Sequence, residues 1–173
     1  MLSRVCSSGP RLGEPVWLVE ISAPFSTICG LIVNAEQGLE RRIVLDASAL
    51  LRWYLLDGEV SNDLDQLLER ASRGELLILV PDLLFLEAAS VLLKQVKQQS
   101  MSAREASDLL QEISRLPLRA VAAAELKAEA FALALTEGLS VYDAAYLALA
   151  RREQARLVTV DAKLRNAAQH LGP

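Results

Sequence analysis

Residues 43–48 read Ile43-Val44-Leu45-Asp46-Ala47-Ser48. Three apolar residues in a row, with no polar residue between them, predict a short strand buried on both faces of a sheet. The run ends in an acid, and Ser48 to Leu56 then carries a helical pattern that ends near Asp57-Gly58. A doubly buried strand feeding directly into a helix is the first half of a β-α-β unit, which joins parallel strands.

Downstream of this stretch the alternation repeats. Ser61 opens a helix to about Ser72, with Gly74 as its stop, and Leu76–Val80 is a second apolar strand. Pro81 and Asp82 open a long helix to about Gln98. Ser102-Ala-Arg-Glu105 has the form of a capping box and starts a helix to about Leu116. Pro117 breaks that helix, and Leu118–Val121 is a third strand. Ala123–Glu137 is helical and stops at Gly138; Ser140 caps a further helix from Val141 to about Gln154. Arg156–Val160 is the last strand and Ala162–His170 the last helix. The expected fold is therefore α/β, a central parallel sheet flanked by helices on both faces.

Upstream the pattern is lost. Residues 1–41 contain three prolines, four glycines and both cysteines, with no sustained period. Val16–Ile21 and Cys29–Val33 have the composition of short strands, but the segment is expected to be an N-terminal extension without an assigned role. The domain proper is expected at 42–173.

Composition restricts the chemistry. The chain has 173 residues, 52% of them hydrophobic, enough for one domain with a sizeable core. Its formal net charge of −4 argues against holding nucleic acid by bulk electrostatics. Two cysteines, Cys6 and Cys29, and one histidine, His170, make neither a disulfide framework nor a zinc site. Any metal is expected to be bound by oxygen, which selects Mg²⁺ or Mn²⁺. Val16–Val33 is the most apolar long segment, but Glu20 and Pro24 interrupt it, so neither a membrane span nor a signal sequence is expected. The expected location is the cytoplasm.

Four acids then stand out. Asp46 and Asp161 follow the first and last strands, and Asp143 lies three residues after Ser140. Each also has an ordinary structural reading, as a helix cap or as part of a capping box. Glu87 is different. Its neighbours one helical turn away are Leu83, Leu84, Ser90 and Val91, which puts it on a mostly apolar stripe. A carboxylate there needs a donor, a proton or a cation. In a parallel sheet the carboxyl ends of the strands share one edge, and the helices that follow start beside it. Asp46, Glu87, Asp143 and Asp161 are therefore expected to converge on one crevice. Clustered carboxylates repel one another unless a divalent cation sits among them.

The same residues resemble a known family. Ile43-Val-Leu-Asp46-Ala-Ser48-Ala-Leu resembles the opening of PIN-domain nucleases, and more narrowly of VapC-type toxins of type II toxin–antitoxin systems. Pro81 through Glu87-Ala-Ala-Ser-Val-Leu, Val141-Tyr-Asp143-Ala-Ala-Tyr-Leu-Ala-Leu-Ala and Leu157-Val-Thr159-Val-Asp161-Ala-Lys-Leu resemble the later blocks of that family in order. The resemblance runs from about Arg42 to Asn166. It implies a PIN-like fold, an Mg²⁺- or Mn²⁺-dependent ribonuclease and a cognate antitoxin protein as inhibitor. It implies that Asp46, Glu87 and Asp143 are the principal metal-binding acids, with Asp161 the less uniformly required fourth. Ser48 and Thr159 match hydroxyl positions that orient carboxylates or water. Where members of the family often carry Asn, three residues after the second acid, this chain has Ser90.

Arg52, Lys163 and Arg165 are the nearest positive residues for RNA, although solvated surface is their ordinary reading. The crowded apolar residues Leu50, Leu51, Trp53, Tyr54, Leu55 and Leu56 suggest a homodimer or antitoxin contact on the first helix. Two alternatives remain open to the residues alone. One is an aspartate-nucleophile phosphatase using Asp46, which would ordinarily place a second Asp where Ser48 stands. The other is a catalytically silent binding module that keeps the fold.

Overall fold

The computed structural model of the chain describes residues 41–55 and 61–170. The strands expected within 16–33, the helix end near Asp57 and the whole of 1–40 lie outside the described residues. The elements in order are β1 (Arg42–Leu45), α1 (Ala47–Leu55), α2 (Ser61–Ser72), β2 (Leu77–Pro81), α3 (Leu83–Lys97), α4 (Ala103–Ile113), β3 (Leu118–Val121), α5 (Ala123–Glu137), α6 (Val141–Arg152), β4 (Arg156–Val158) and α7 (Ala162–His170).

The four strands form one parallel sheet in the order β3-β2-β1-β4, with Ile43 opposite Ile78 on one side and Arg156 on the other. Successive residues of a strand face opposite sides of a sheet. Ile43, Val44 and Leu45 are all buried, as are Ile78, Leu79 and Val80, so both faces of the central pair are covered. Tyr146, Leu147 and Leu149 of α6 belong to the same core, and α6 packs on β1, β2 and β4. The expected doubly covered parallel sheet is borne out.

The chain moves outward from β1 to β2 to β3 and then crosses back to place β4 on the other side of β1. The connections leaving β1 and entering β4 thus diverge, and the gap between their carboxyl ends is a topological switch point.

Several boundaries differ from expectation for local reasons. β4 stops at Val158 rather than Val160. The Val158 carbonyl accepts the Asp46 amide at 3.0 Å, and from Thr159 onward the chain turns across the end of β1. α6 ends at Arg152 because Gln154 adopts φ +50°, a left-handed conformation incompatible with a continued helix. α4 ends at Ile113, ahead of the constraint that Pro117 imposes on Leu116.

The capping box is present: the Ser102 hydroxyl accepts the Glu105 amide at 3.2 Å, and Glu105 Oε2 accepts the Ser102 amide at 2.8 Å. Gly138, at φ +63°, ends α5 in the conformation that glycine adopts most cheaply. Asp82 precedes α3 as expected, but its side chain does not cap that helix. Its Oδ1 accepts the Ala123 amide at 2.8 Å and so caps α5, whose own N-cap, Ala122, has no side-chain acceptor.

The apolar surplus on α1 is largely taken up by the core. Leu50 and Leu51 are buried, and Trp53, Tyr54 and Leu55 are half-buried against it. The large apolar residues left exposed among the described residues are on other helices: Leu86 and Leu93 of α3, Phe131 and Leu135 of α5, and Val141 and Tyr142 of α6. Among the described residues no helix is long and apolar enough to cross a membrane.

Candidate active site

Asp46 stands where β1 hands over to α1, and its carbonyl accepts the first helical amides, from Ala49 and Leu50. It is 5% exposed, and no other charged residue is buried among the described residues. One carboxylate oxygen, Oδ2, accepts two hydroxyl hydrogen bonds, from Ser48 and, at 2.7 Å, from Thr159. The two hydroxyl oxygens lie 3.4 Å apart. Burial pushes the Asp46 carboxyl above the ordinary aspartate range; the Ser48 and Thr159 hydroxyls and the Ser48 amide oppose this, and the Asp143 charge adds to it.

Thr159 also ties in the fourth acid. Its Oγ1 accepts the Asp161 amide at 3.0 Å while donating to Asp46. Asp161 Oδ1 in turn accepts the Leu164 amide at 2.7 Å, which makes Asp161 the cap of α7. Asp161 is exposed, and the link from Asp46 to it runs through the Thr159 hydroxyl and the Asp161 backbone.

Glu87 sits in the second turn of α3, half-buried, with Leu84 and Ala88 fully buried beside it. Its donor is a residue not assigned from sequence. The hydroxyl of Tyr146, a side chain fully buried in α6, donates to Glu87 Oε2. The glutamate carboxyl is raised by burial, lowered by the Tyr146 hydrogen bond, and raised again by the charges of Asp46 and Asp143. The tyrosine hydroxyl is held far above the usual range, chiefly by burial and then by Glu87, so it remains a donor. A signal for this pair existed in the sequence. A tyrosine one turn after Asp143 on a helix of Ala and Leu must find a partner for its hydroxyl.

Asp143 lies in the first turn of α6. Its amide donates to Ser140 Oγ at 3.0 Å, and its Oδ2 accepts the Ser140 hydroxyl at 2.7 Å. The cap expected of Ser140 is therefore present, and it also fixes the Asp143 side chain.

The mutual effects of their charges place Asp46, Glu87 and Asp143 in one electrostatic neighbourhood. Among the ion pairs of the described residues none includes any of the four acids. The three are coupled through space without being drawn to a common ligand distance. No group of three or more His, Cys, Asp or Glu among the described residues is gathered tightly enough to grip one ion. The donor set still suits a hard cation. It consists of carboxylate oxygens, each held by neutral hydroxyls and, among the described residues, with no basic partner.

The positive residues divide. Lys163, in the first turn of α7, donates to the Gly138 carbonyl and so bridges to the loop that leads into Asp143. Arg52 and Arg165 are exposed.

A parallel α/β sheet with acids at the switch point of its strand ends defines the class to which this chain can belong. Residues 43–169 match the PIN domain family, and the chain belongs to that family. Ribonuclease VapC3 of Pyrobaculum aerophilum is 35% identical over 125 residues, which are 71% of this chain and 92% of that protein. The resemblance to VapC-type proteins is thereby borne out. The crystal structure of PAE2754 from Pyrobaculum aerophilum shares the fold, with a TM-score of 0.54 and 22% identity over 75% of this chain and 85% of that one.

Proposed function

We propose that this domain is an endoribonuclease that hydrolyses RNA phosphodiester bonds with Mg²⁺ or Mn²⁺, and that it is the toxin of a toxin–antitoxin pair acting in the cytoplasm. The observation that supports the reading is that Asp46, at the carboxyl end of β1, and Glu87 both feel the charge of Asp143, and that none of the three has a basic partner among the described residues. Similarity to a ribonuclease of the VapC type supports the choice of RNA.

In this reading Asp46, Glu87 and Asp143 hold the cation. A bound divalent ion supplies Lewis acidity to the phosphodiester and to the attacking water. The chain's own residues prepare the site. Ser48 and Thr159 fix Asp46 through one oxygen and so keep the other turned away from them. Ser140 does the same for Asp143. Asp161 has one oxygen committed to capping α7, which suits an auxiliary role, completing the site or helping a second ion. Arg52, Lys163 and Arg165 are proposed RNA contacts, with Lys163 the best placed through its bridge to the loop before Asp143. A cognate antitoxin and a second copy of the chain are the proposed protein partners.

The test is cleavage of single-stranded and structured RNA in Mg²⁺ or Mn²⁺ with Asp46→Asn in parallel. Wild-type cleavage abolished by both EDTA and Asp46→Asn is expected. Equal cleavage by the variant would assign the activity to a contaminant.

A further inference from the structure

Of the four acids, Glu87 is the one whose position depends on another helix. It projects from α3, whereas Asp46 is fixed by hydroxyls beside the end of β1, and Asp143 and Asp161 by the caps of their own helices. What reaches Glu87 is Tyr146 of α6. The Tyr146 side chain has no exposed surface, and its hydroxyl crosses from α6 to α3. It donates to Glu87 Oε2. One oxygen atom therefore joins the carboxylate of Glu87 to the helix that carries Asp143 three residues earlier.

Packing alone does not require this hydroxyl. A phenylalanine ring fills nearly the same volume, and neighbours such as Ala144, Ala145, Leu147 and Leu149 are wholly apolar. A hydroxyl in such surroundings costs free energy unless it is hydrogen-bonded. Here its partner is Glu87, one of the four candidate acids.

We infer that Tyr146 is a positioning residue, whose hydroxyl bridge from α6 to Glu87 Oε2 on α3 fixes that carboxylate and presents its free oxygen to the cation. The inference rests on the metal-site reading above. Groups that orient metal ligands without touching the metal commonly alter affinity by about 10–100-fold when removed.

The experiment measures Mn²⁺ binding by calorimetry in the absence of RNA, for wild type, Tyr146→Phe, Glu87→Ala and the double variant. Tyr146→Phe is expected to keep the far-UV circular dichroism of the wild type and to weaken Mn²⁺ binding about tenfold or more. In the Glu87→Ala background the same change is expected to have no further effect, because the bridge has lost its end. A merely structural tyrosine would weaken binding equally in both backgrounds, and that result overturns the inference. So does a Tyr146→Phe affinity within twofold of wild type. No Mn²⁺ binding by the wild-type protein overturns the metal-site reading together with this one. Should Tyr146→Phe fail to fold, the wild type labelled with ¹³C at tyrosine Cζ serves instead. Mg²⁺ should move the Tyr146 resonance with the midpoint of binding, and a resonance indifferent to Mg²⁺ overturns the proposal.

Discussion

Replacing Asp46 by Asn should stabilise the metal-free domain while destroying its response to metal. The residue is 5% exposed and its carboxyl is raised chiefly by burial, with the Asp143 charge adding to the cost. Asparagine has nearly the same shape, and its carbonyl oxygen accepts from Ser48 and Thr159 as Oδ2 does. The substitution therefore keeps the two hydroxyl bonds and removes the buried charge. Relief of this kind at functional sites is worth about 1–2 kcal/mol, or roughly 3–8 °C in Tm for a domain of this size. Divalent metal should invert the order. At a concentration one hundred times its Kd, a ligand that binds the folded state alone adds about 2.7 kcal/mol, and the variant should gain little of it. Thermal melts at pH 7.5 in EDTA and in saturating Mn²⁺, for both proteins, give the four values required. A metal-free Asp46→Asn protein that melts below wild type would refute the reasoning. Asp46 would then be a structural carboxylate whose hydrogen bonds outweigh its burial.

The same groups set a pH dependence. Asp46 and Glu87 both titrate above their ordinary values of 3.8 and 4.5. Groups with raised values stabilise the fold fully below their unfolded values and cease to as pH rises through the folded ones. Metal-free stability should therefore fall as pH rises from about 4 through those raised values, and urea melts across the range should show a shallower fall for Asp46→Asn. Thr159→Val removes the donor to Asp46 and the acceptor of the Asp161 amide; it should cost about 1–3 kcal/mol and depress RNA cleavage, while Thr159→Ser retains both. Asp82→Ala deprives α5 of its cap and should cost about 1 kcal/mol, read as a lower Tm with RNA cleavage unchanged.

Much of this arrangement is legible in the sequence alone. Period and punctuation located all eleven described elements, because doubly buried parallel strands are unbroken apolar runs and because capping residues mark the helix starts. The acids were found through position: Asp46 beyond a strand, Glu87 on an apolar stripe. What sequence could not give was the pairing across elements. Tyr146 and Glu87 are 59 residues apart, Thr159 and Asp46 113, and Asp82 and Ala123 41. No local rule links such residues, since each contact is made by the order in which the strands assemble. Asp82 shows the difference: its place before α3 was legible, whereas the helix it caps depends on β2 and β3 lying side by side.

The choice of donors around the acids bears on why the site is stable enough to persist yet suited to a cation. A lysine or arginine beside Asp46 would hold it more strongly than a hydroxyl, since charge-assisted bonds are roughly twice as strong. Such a partner would also neutralise the carboxylate and compete with any metal for it. The donors provided are instead Ser48, Thr159, Ser140 and Tyr146, all uncharged. Neutral donors fix direction while leaving the charge in place. Asp46, Glu87 and Asp143 therefore remain mutually repelling, and an incoming divalent ion recovers that repulsion as binding free energy. The instability is affordable because it is confined to the end of a sheet whose central strands are buried on both faces. On this argument, placing a basic side chain at Ser48 should make the metal-free domain more stable and less able to bind Mn²⁺, two effects that any general loosening of the fold would not produce together.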